Sequence, residues 1–240
     1  MQVLKNIFQI SGDAYGFIAN IFAIKGKDAV IIMDTGEDEN DMRTIDEGLN
    51  YWGLSELPIS HVFISHVHFG HIANAHLFRK RGAKIVAGEA DADGIEKGNE
   101  KIVDFPPFKK KPYIPCPVDI KVNDGDVIEA AGLRLEAIAV PGHTAGSMFY
   151  KLNMDGKTII FTGDVLSVGP DCRYSMLGWT GAVDYNRLQY FESIKKFSKL
   201  HADVILPAHF QLCLKDGWKI LQDSYLRALL EWRQPAEHED

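Results

Sequence analysis

Short apolar runs, rich in β-branched and aromatic residues and each ended by a turn signal, dominate the start of the chain. VLKNIFQI (3–10), YGFIANIFAI (15–24) and DAVIIMD (28–34) are separated by SGD and KGK, a pattern that predicts consecutive strands. A polar, helix-compatible stretch from Asn40 to about Tyr51 follows, then a short strand, HVFIS (61–65). A helix is expected from His71 to Arg81, closed by Gly82 as its C′ residue, before AKIVAG (83–88) returns as a strand. Next comes DFPPFKKKPYIPCP (104–117), whose five prolines rule out regular structure and predict an extended connector. Strand patterns then resume in VDIKV, DVIEA, LRLEAIAV, SMFYKLN and TIIFTG, with Asp155-Gly156 as a hairpin turn between the last two. Helices over about Tyr185 to Leu200 and Lys215 to Trp232 flank a strand in DVILPA (203–208). The order of strands then helices, given twice, predicts two sheets packed together with helices outside, the layered solution that buries both kinds of face. This is one domain over residues 1–234, made of two similar halves joined near 104–117, with a frayed tail at 235–240.

Composition narrows the partners. The 240 residues are 46% hydrophobic and 25% charged, enough for a substantial core. A net charge of −7, without a long basic stretch, argues against nucleic acid. No apolar run reaches the roughly eighteen residues of a membrane span, and the N-terminus does not read as a signal peptide, so the expectation is a cytoplasmic protein acting on a small molecule. Cys116, Cys172 and Cys213 are widely spaced, without a CxxC, and suggest neither a disulfide framework nor a cysteine zinc site.

Chemistry gathers where the predicted strands end. His66 and His68 follow HVFIS, His71 starts the next helix, and His143 lies in PGHT directly after LRLEAIAV. Asp164 ends the strand in FTGD, and His209 follows DVILPA. A lone loop histidine is usually a surface or capping residue, and His61, His76, His201 and His238 keep that reading. Five histidines and an aspartate in one kind of position are harder to dismiss. The H-x-H pair also matters, because alternate residues of an extended segment present two imidazoles on one side.

With DTG at Asp34, SHVHFGH (65–71), PGHT, FTGD and PAH in this order, the chain resembles the metallo-β-lactamase-fold hydrolases over nearly its whole length. That resemblance implies an α+β fold, an αββα sandwich of two mixed β-sheets packed face to face with helices on both outer faces, with a metal site along one edge of the sheets. His66, His68 and His143 would hold a first cation, Asp164 would bridge, and His71 and His209 would hold a second, with Asp164 and His209 also serving the reaction. The cofactor implied is zinc, one ion or two, with iron or manganese as alternatives. Asp34 would stand behind the ligands and hold an imidazole by a hydrogen bond.

Gly70 departs from the family motif, H-x-H-x-D-H, and leaves the second cation without its own carboxylate. Glycine near an N-cap costs the fold only a few tenths of a kcal/mol. Three histidines and a water suffice for zinc and lower the pKa of that water to about 7. Delivery of a proton to a strongly basic leaving group is what suffers, whereas a thiolate, with a conjugate acid near about 8.5, leaves unaided. The primary expectation is therefore hydrolysis of a small thioester, ester or lactone. A second reading takes His66, His143 and Asp164 as the two-histidine, one-carboxylate face of an iron oxygenase resembling the family's persulfide dioxygenases. A third is a catalytically silent member that binds a small molecule.

The long segment Val165 to Asp184 carries Arg173, Tyr174 and Trp179 and is the candidate substrate wall, with a surface loop packed on the core as the alternative. Cys172 as a substitute ligand has little support. The connector with Lys109, Lys110 and Lys111 reads as a lid, a homodimer contact or a simple linkage.

Overall fold

Side chains of a strand point alternately to opposite faces, so a strand buried at every position must be covered on both sides. Ile7–Ser11, Val30–Met33 and Val204–Pro207 are such strands. The computed structural model describes residues 1–99, 101–102 and 112–232, and it sandwiches these strands between other layers. The lysines at 109–111, His238 and the tail at 235–240 lie outside the described residues.

The first sheet is built in chain order from Gln2–Leu4 (β1), Ile7–Ser11 (β2), Ile21–Lys25 (β3), Val30–Met33 (β4), Ile59–Phe63 (β5), Lys84–Gly88 (β6) and Ile120–Val122 (β7). It is antiparallel from β1 to β4 and parallel from β4 to β7. The second sheet contains Val127–Ala130 (β8), Leu133–Ala139 (β9), Met148–Met154 (β10), Lys157–Gly163 (β11) and, beyond the hairpin Leu166–Val168 (β12) with Ser175–Leu177 (β13), Val204–Pro207 (β14). Its spatial order is β14-β11-β10-β9-β8, with β14 parallel to β11 and the other pairs antiparallel.

Phe22, Ile31, Phe63 and Val86 of the first sheet meet Leu135, Tyr150, Phe161 and Leu206 of the second in one apolar layer. The outer face of the first sheet is covered by the helices Glu39–Tyr51 (α1), Phe69–Ile72 (α2), Ala75–Lys80 (α3) and Glu89–Lys97 (α4). The outer face of the second is covered by Arg187–Phe197 (α5) and Gly217–Glu231 (α6). Met42, Ile45 and Leu49 give α1 its buried stripe, and Asp38 caps it by accepting from the amides of Asn40 (2.9 Å) and Asp41 (3.0 Å). The architecture is the αββα sandwich expected from the sequence. No helix among the described residues is long and apolar enough to cross a membrane.

Several element boundaries differ from expectation for local reasons. VLKNIFQI is two strands because Asn6, at φ +64°, turns the chain back on itself. The strand expected over 15–24 starts only at Ile21, after a 3-10 turn at Asp13–Tyr15. The helix expected over 71–81 is broken into α2 and α3. At the break, the Asn74 amide donates to the carbonyls of Thr35 (3.0 Å) and Asp38 (2.9 Å). VDIKV adds β7 to the first sheet, so the change of sheet falls at 123–126, beyond the connector. Residues 165–184 are not a featureless loop, since β12 and β13 pair within them.

The helix α4 was not expected at all, and it carries a buried aspartate that ties the two sheets together. Asp91 accepts from the amide of Val67 (3.0 Å), which follows β5, and from the amide of Gly146 (2.8 Å) and the hydroxyl of Thr144 (2.7 Å), which follow β9. Burial, with Asp184 nearby, pushes its carboxyl up to about 6 against the pull of those three donors. A carboxyl raised in the folded state binds its proton more tightly than in the unfolded chain, so its contribution to stability is present below the ordinary value of about 4 and lost as pH rises through 6. Chemical denaturation should therefore show wild type losing about 2–3 kcal/mol relative to Asp91→Asn between pH 4 and 6.5. Asp91→Ala, which leaves three buried donors unpaired, should lower stability at every pH by several kcal/mol, at about 1–3 kcal/mol per donor.

Candidate metal centre

The predicted metal ligands and Asp34 lie at the carboxyl ends of strands from both sheets, and the structure brings them together. Asp34 follows β4, His66, His68 and His71 follow β5, His143 follows β9, Asp164 follows β11, and His209 follows β14. Gly163 allows one of these approaches. At φ +51°, it brings the end of β11 so close to Ser65 that an added β-carbon would lie 2.6 Å from Ser65 Cβ.

The donor atoms form two groups that share Asp164: His66, His68, His143 and Asp164, and His71, Asp164 and His209. Within each group the atoms lie within 4.8 Å of one another. In the first, His68 Nδ1 is 3.1 Å from His143 Nε2, while Asp164 Oδ2 is 3.5 Å from His66 Nε2 and 3.8 Å from His143 Nε2. In the second, Asp164 Oδ1 is 3.2 Å from His71 Nε2 and 2.9 Å from His209 Nε2. Zinc–nitrogen bonds of about 2.0–2.1 Å at tetrahedral angles would put neighbouring donors about 3.3 Å apart, close to the 3.1, 3.5 and 3.8 Å of these pairs in the first group. His66 Nε2 is buried without a hydrogen-bond partner, as expected of an atom that serves a cation.

Four of the five imidazoles have their tautomer set from behind. Asp34 accepts from the amide and hydroxyl of Ser65 (2.8 and 2.9 Å) and stands 2.9 Å from His71 Nδ1. With its hydroxyl hydrogen given to Asp34, Ser65 Oγ accepts from His66 Nδ1 (2.9 Å). His143 Nδ1 donates to the carbonyl of Trp179 (2.8 Å) and His209 Nδ1 to that of Ile18 (2.8 Å). At His66 and His143 these bonds leave the Nε2 lone pair facing Asp164, while His71 and His209 turn Nε2 to Asp164 Oδ1.

Charge separates the two groups. Burial holds His66 and His68 well below the ordinary histidine range, aided by their imidazole neighbours, and it lowers His143 as well. These three rings are neutral at neutral pH, as ligation requires. For His71, burial opposes the charged form but Asp164 and Asp34 outweigh it and raise it to about 10, and Asp164 likewise raises His209. Burial works against the ionised Asp164 too, yet His209, His71 and His66 hold it well below the usual carboxylate range.

A cavity of about 330 Å3 opens over Asp164, His71 and His209. Trp179 lines it, but Arg173 and Tyr174 do not. Tyr174 instead packs beside Gly169 and under the Arg227 guanidinium, 4.6 Å from its ring centre, and Arg173 is exposed on the surface. Cys172 is likewise away from the donors, its thiol against the carbonyl of Leu212 (3.2 Å). Gly70 lines the cavity, and nothing stands within 4 Å of where its side chain would begin. Sequence reasoning missed Ser65 and Asp91. The first adjoins the histidine motif, and the second shows only as an acidic residue on the buried side of a short helix.

Three comparisons place this geometry among known proteins. The sequence model of the metallo-beta-lactamase superfamily matches residues 14–209. A hydroxyacylglutathione hydrolase of Pseudomonas putida (strain W619) is 36% identical over 53 residues, 22% of this chain and 20% of that protein. The chain thus aligns with about a fifth of that relative's length. Among solved structures, a HARLDQ-motif mutant metallo-beta-lactamase of Cronobacter sakazakii superposes with a TM-score of 0.75 at 17% identity, covering 97% of this chain and 92% of that one. A subclass B3 metallo-beta-lactamase of Bradyrhizobium japonicum does so at 0.70 and 20%, covering 96% and 89%.

Replacing Asp34 with asparagine should weaken cation retention by about 10–100-fold, because His71 and Ser65 lose their common acceptor. Competition with a chromophoric chelator would measure this, and an unchanged affinity would remove Asp34 from the centre.

Proposed function

Since the chain belongs to the metallo-beta-lactamase superfamily, we propose that it is a metal-dependent hydrolase of a small thioester, or of an activated ester or lactone, with zinc as the resident cation. The observation that carries this reading is the convergence of five imidazoles on one carboxylate, with His66 Nε2 buried and unpaired. When bound, the cation supplies Lewis acidity, which polarises a carbonyl and acidifies water to a pKa of about 7. His66, His68 and His143, all neutral, would hold it together with Asp164. His71 and His209 offer a second position that shares Asp164 and has no carboxylate of its own, because position 70 is glycine.

That gap bears on the choice of substrate. The described lining of the cavity includes no acidic side chain except Asp164, which the imidazoles keep ionised. No carboxylic acid is therefore poised to protonate an alkoxide, whereas a thiolate leaves without one. The short similarity to a hydroxyacylglutathione hydrolase fits this reading. The set His66, His143 and Asp164 also suits iron, but His68 Nδ1 lies only 3.1 Å from His143 Nε2 and completes a three-histidine set, which favours zinc hydrolysis.

Metal analysis of protein purified anaerobically without added metal should find zinc, and matched oxygen and sulfur esters should show kcat/KM at least tenfold higher for the sulfur ester. Bound iron with oxygen uptake would point to an oxygenase instead, and equal rates on unactivated oxygen esters would overturn the leaving-group argument. Gly70→Asp places a carboxylate in open space, so it should raise occupancy of the second position in titration calorimetry while leaving the melting temperature of the metal-free protein within a few degrees.

A further inference from the structure

Above the donor atoms the cavity changes character. Its floor is imidazole and carboxylate, whereas its walls are Phe69, Met176, Leu177 and Trp179, and none of the described lining residues is lysine or arginine. Three large apolar residues that stand exposed at the surface belong to this same cavity: Ile18 (42% exposed), Trp179 (44%) and Phe210 (54%). A single exposed apolar side chain is ordinary. Several gathered at one apolar concavity mark a place where an apolar ligand is held.

Phe210 is kept there against its backbone preference. Its φ is +63°, a conformation that bulky residues avoid and that persists where the surroundings enforce it. The enforcing contacts are present, since its amide donates to Asp13 Oδ2 (3.1 Å) and its carbonyl accepts from Asn20 Nδ2 (3.3 Å). The phenyl ring thus stands next to His209 by construction. Gly70 adds room, because it lines the cavity and nothing stands within 4 Å of where its side chain would begin.

We infer that this cavity is a subsite for the neutral, apolar acyl group of the substrate, with Phe69, Leu177, Trp179 and Phe210 setting the preference and Gly70 setting the depth. The inference rests on the hydrolase reading for its chemistry, but not for binding. At about 30 Å3 per water-sized group, a volume of 330 Å3 holds about ten non-hydrogen atoms, so the preferred acyl group is of medium length or aromatic rather than acetyl. With no lysine or arginine among the described lining residues, an acyl group ending in a carboxylate finds no partner on the apolar walls and loses its hydration there.

A series of thioesters of one neutral thiol, from acetyl to octanoyl, with succinyl as the anionic counterpart of butyryl, tests this on the zinc-loaded protein. The expected result is a rise in kcat/KM of about fourfold per added methylene until the cavity is full, with succinyl at least tenfold below butyryl. Phe210→Ser should flatten the rise. Rates independent of chain length, or succinyl equal to butyryl, would overturn the subsite. If no thioester is cleaved, the hydrolase reading fails and calorimetry with the uncleaved amides decides the subsite separately. Octanamide binding at least tenfold tighter than butanamide sustains it, and equal or undetectable binding overturns it.

Discussion

Asp164 is one carboxylate buried among five imidazoles, and the balance of charge around it organises the rest of the centre. With no cation present, it can be ionised in that setting only if some of the rings carry protons. The structure allots those protons to His71 and His209, while His66, His68 and His143 stay neutral. For His209 the allotment follows from Asp164, 2.9 Å away, and for the other rings from what stands behind each. His71 has the carboxylate of Asp34 behind it, whereas His66 has a hydroxyl and His143 a carbonyl. One group of donors is therefore ready to accept a cation, and the other must first release protons.

Much of this was legible in the sequence, because strands, turns and metal ligands each leave local marks. The five histidines and Asp164 announced themselves by following apolar runs, and Gly82 and Asp155-Gly156 marked turns that the backbone adopts, with positive φ at Gly82, Asp155 and Gly156. What was not legible depends on tertiary contact. Nothing near Asp91 reveals that it meets Val67, Thr144 and Gly146, residues remote in the chain or brought near by two different strands. The break between α2 and α3 depends on Asn74 reaching Thr35 and Asp38, which no helical periodicity records. Arg173 and Tyr174 looked like binding residues because of their types and their place after Asp164, but the pairing of β12 with β13 carries Trp179 to the cavity and leaves them outside it.

Gly70 connects the centre with the space above it. In local terms its replacement of a carboxylate is nearly neutral, because the position near the helix start tolerates glycine. In the centre it removes a charge from the second donor group, and in the cavity it leaves an opening flanked by apolar walls. The same absence thus makes the chain less able to hold two cations and better able to admit an uncharged group beside one.

The ownership of the donors has a consequence of its own. His66, His68 and His71 hang from the first sheet, while His143, Asp164 and His209 hang from the second, and each donor group draws on both. Neither layer can chelate by itself. A cation seated here would act as a rivet across the seam, so its departure and the parting of the two layers would be coupled events.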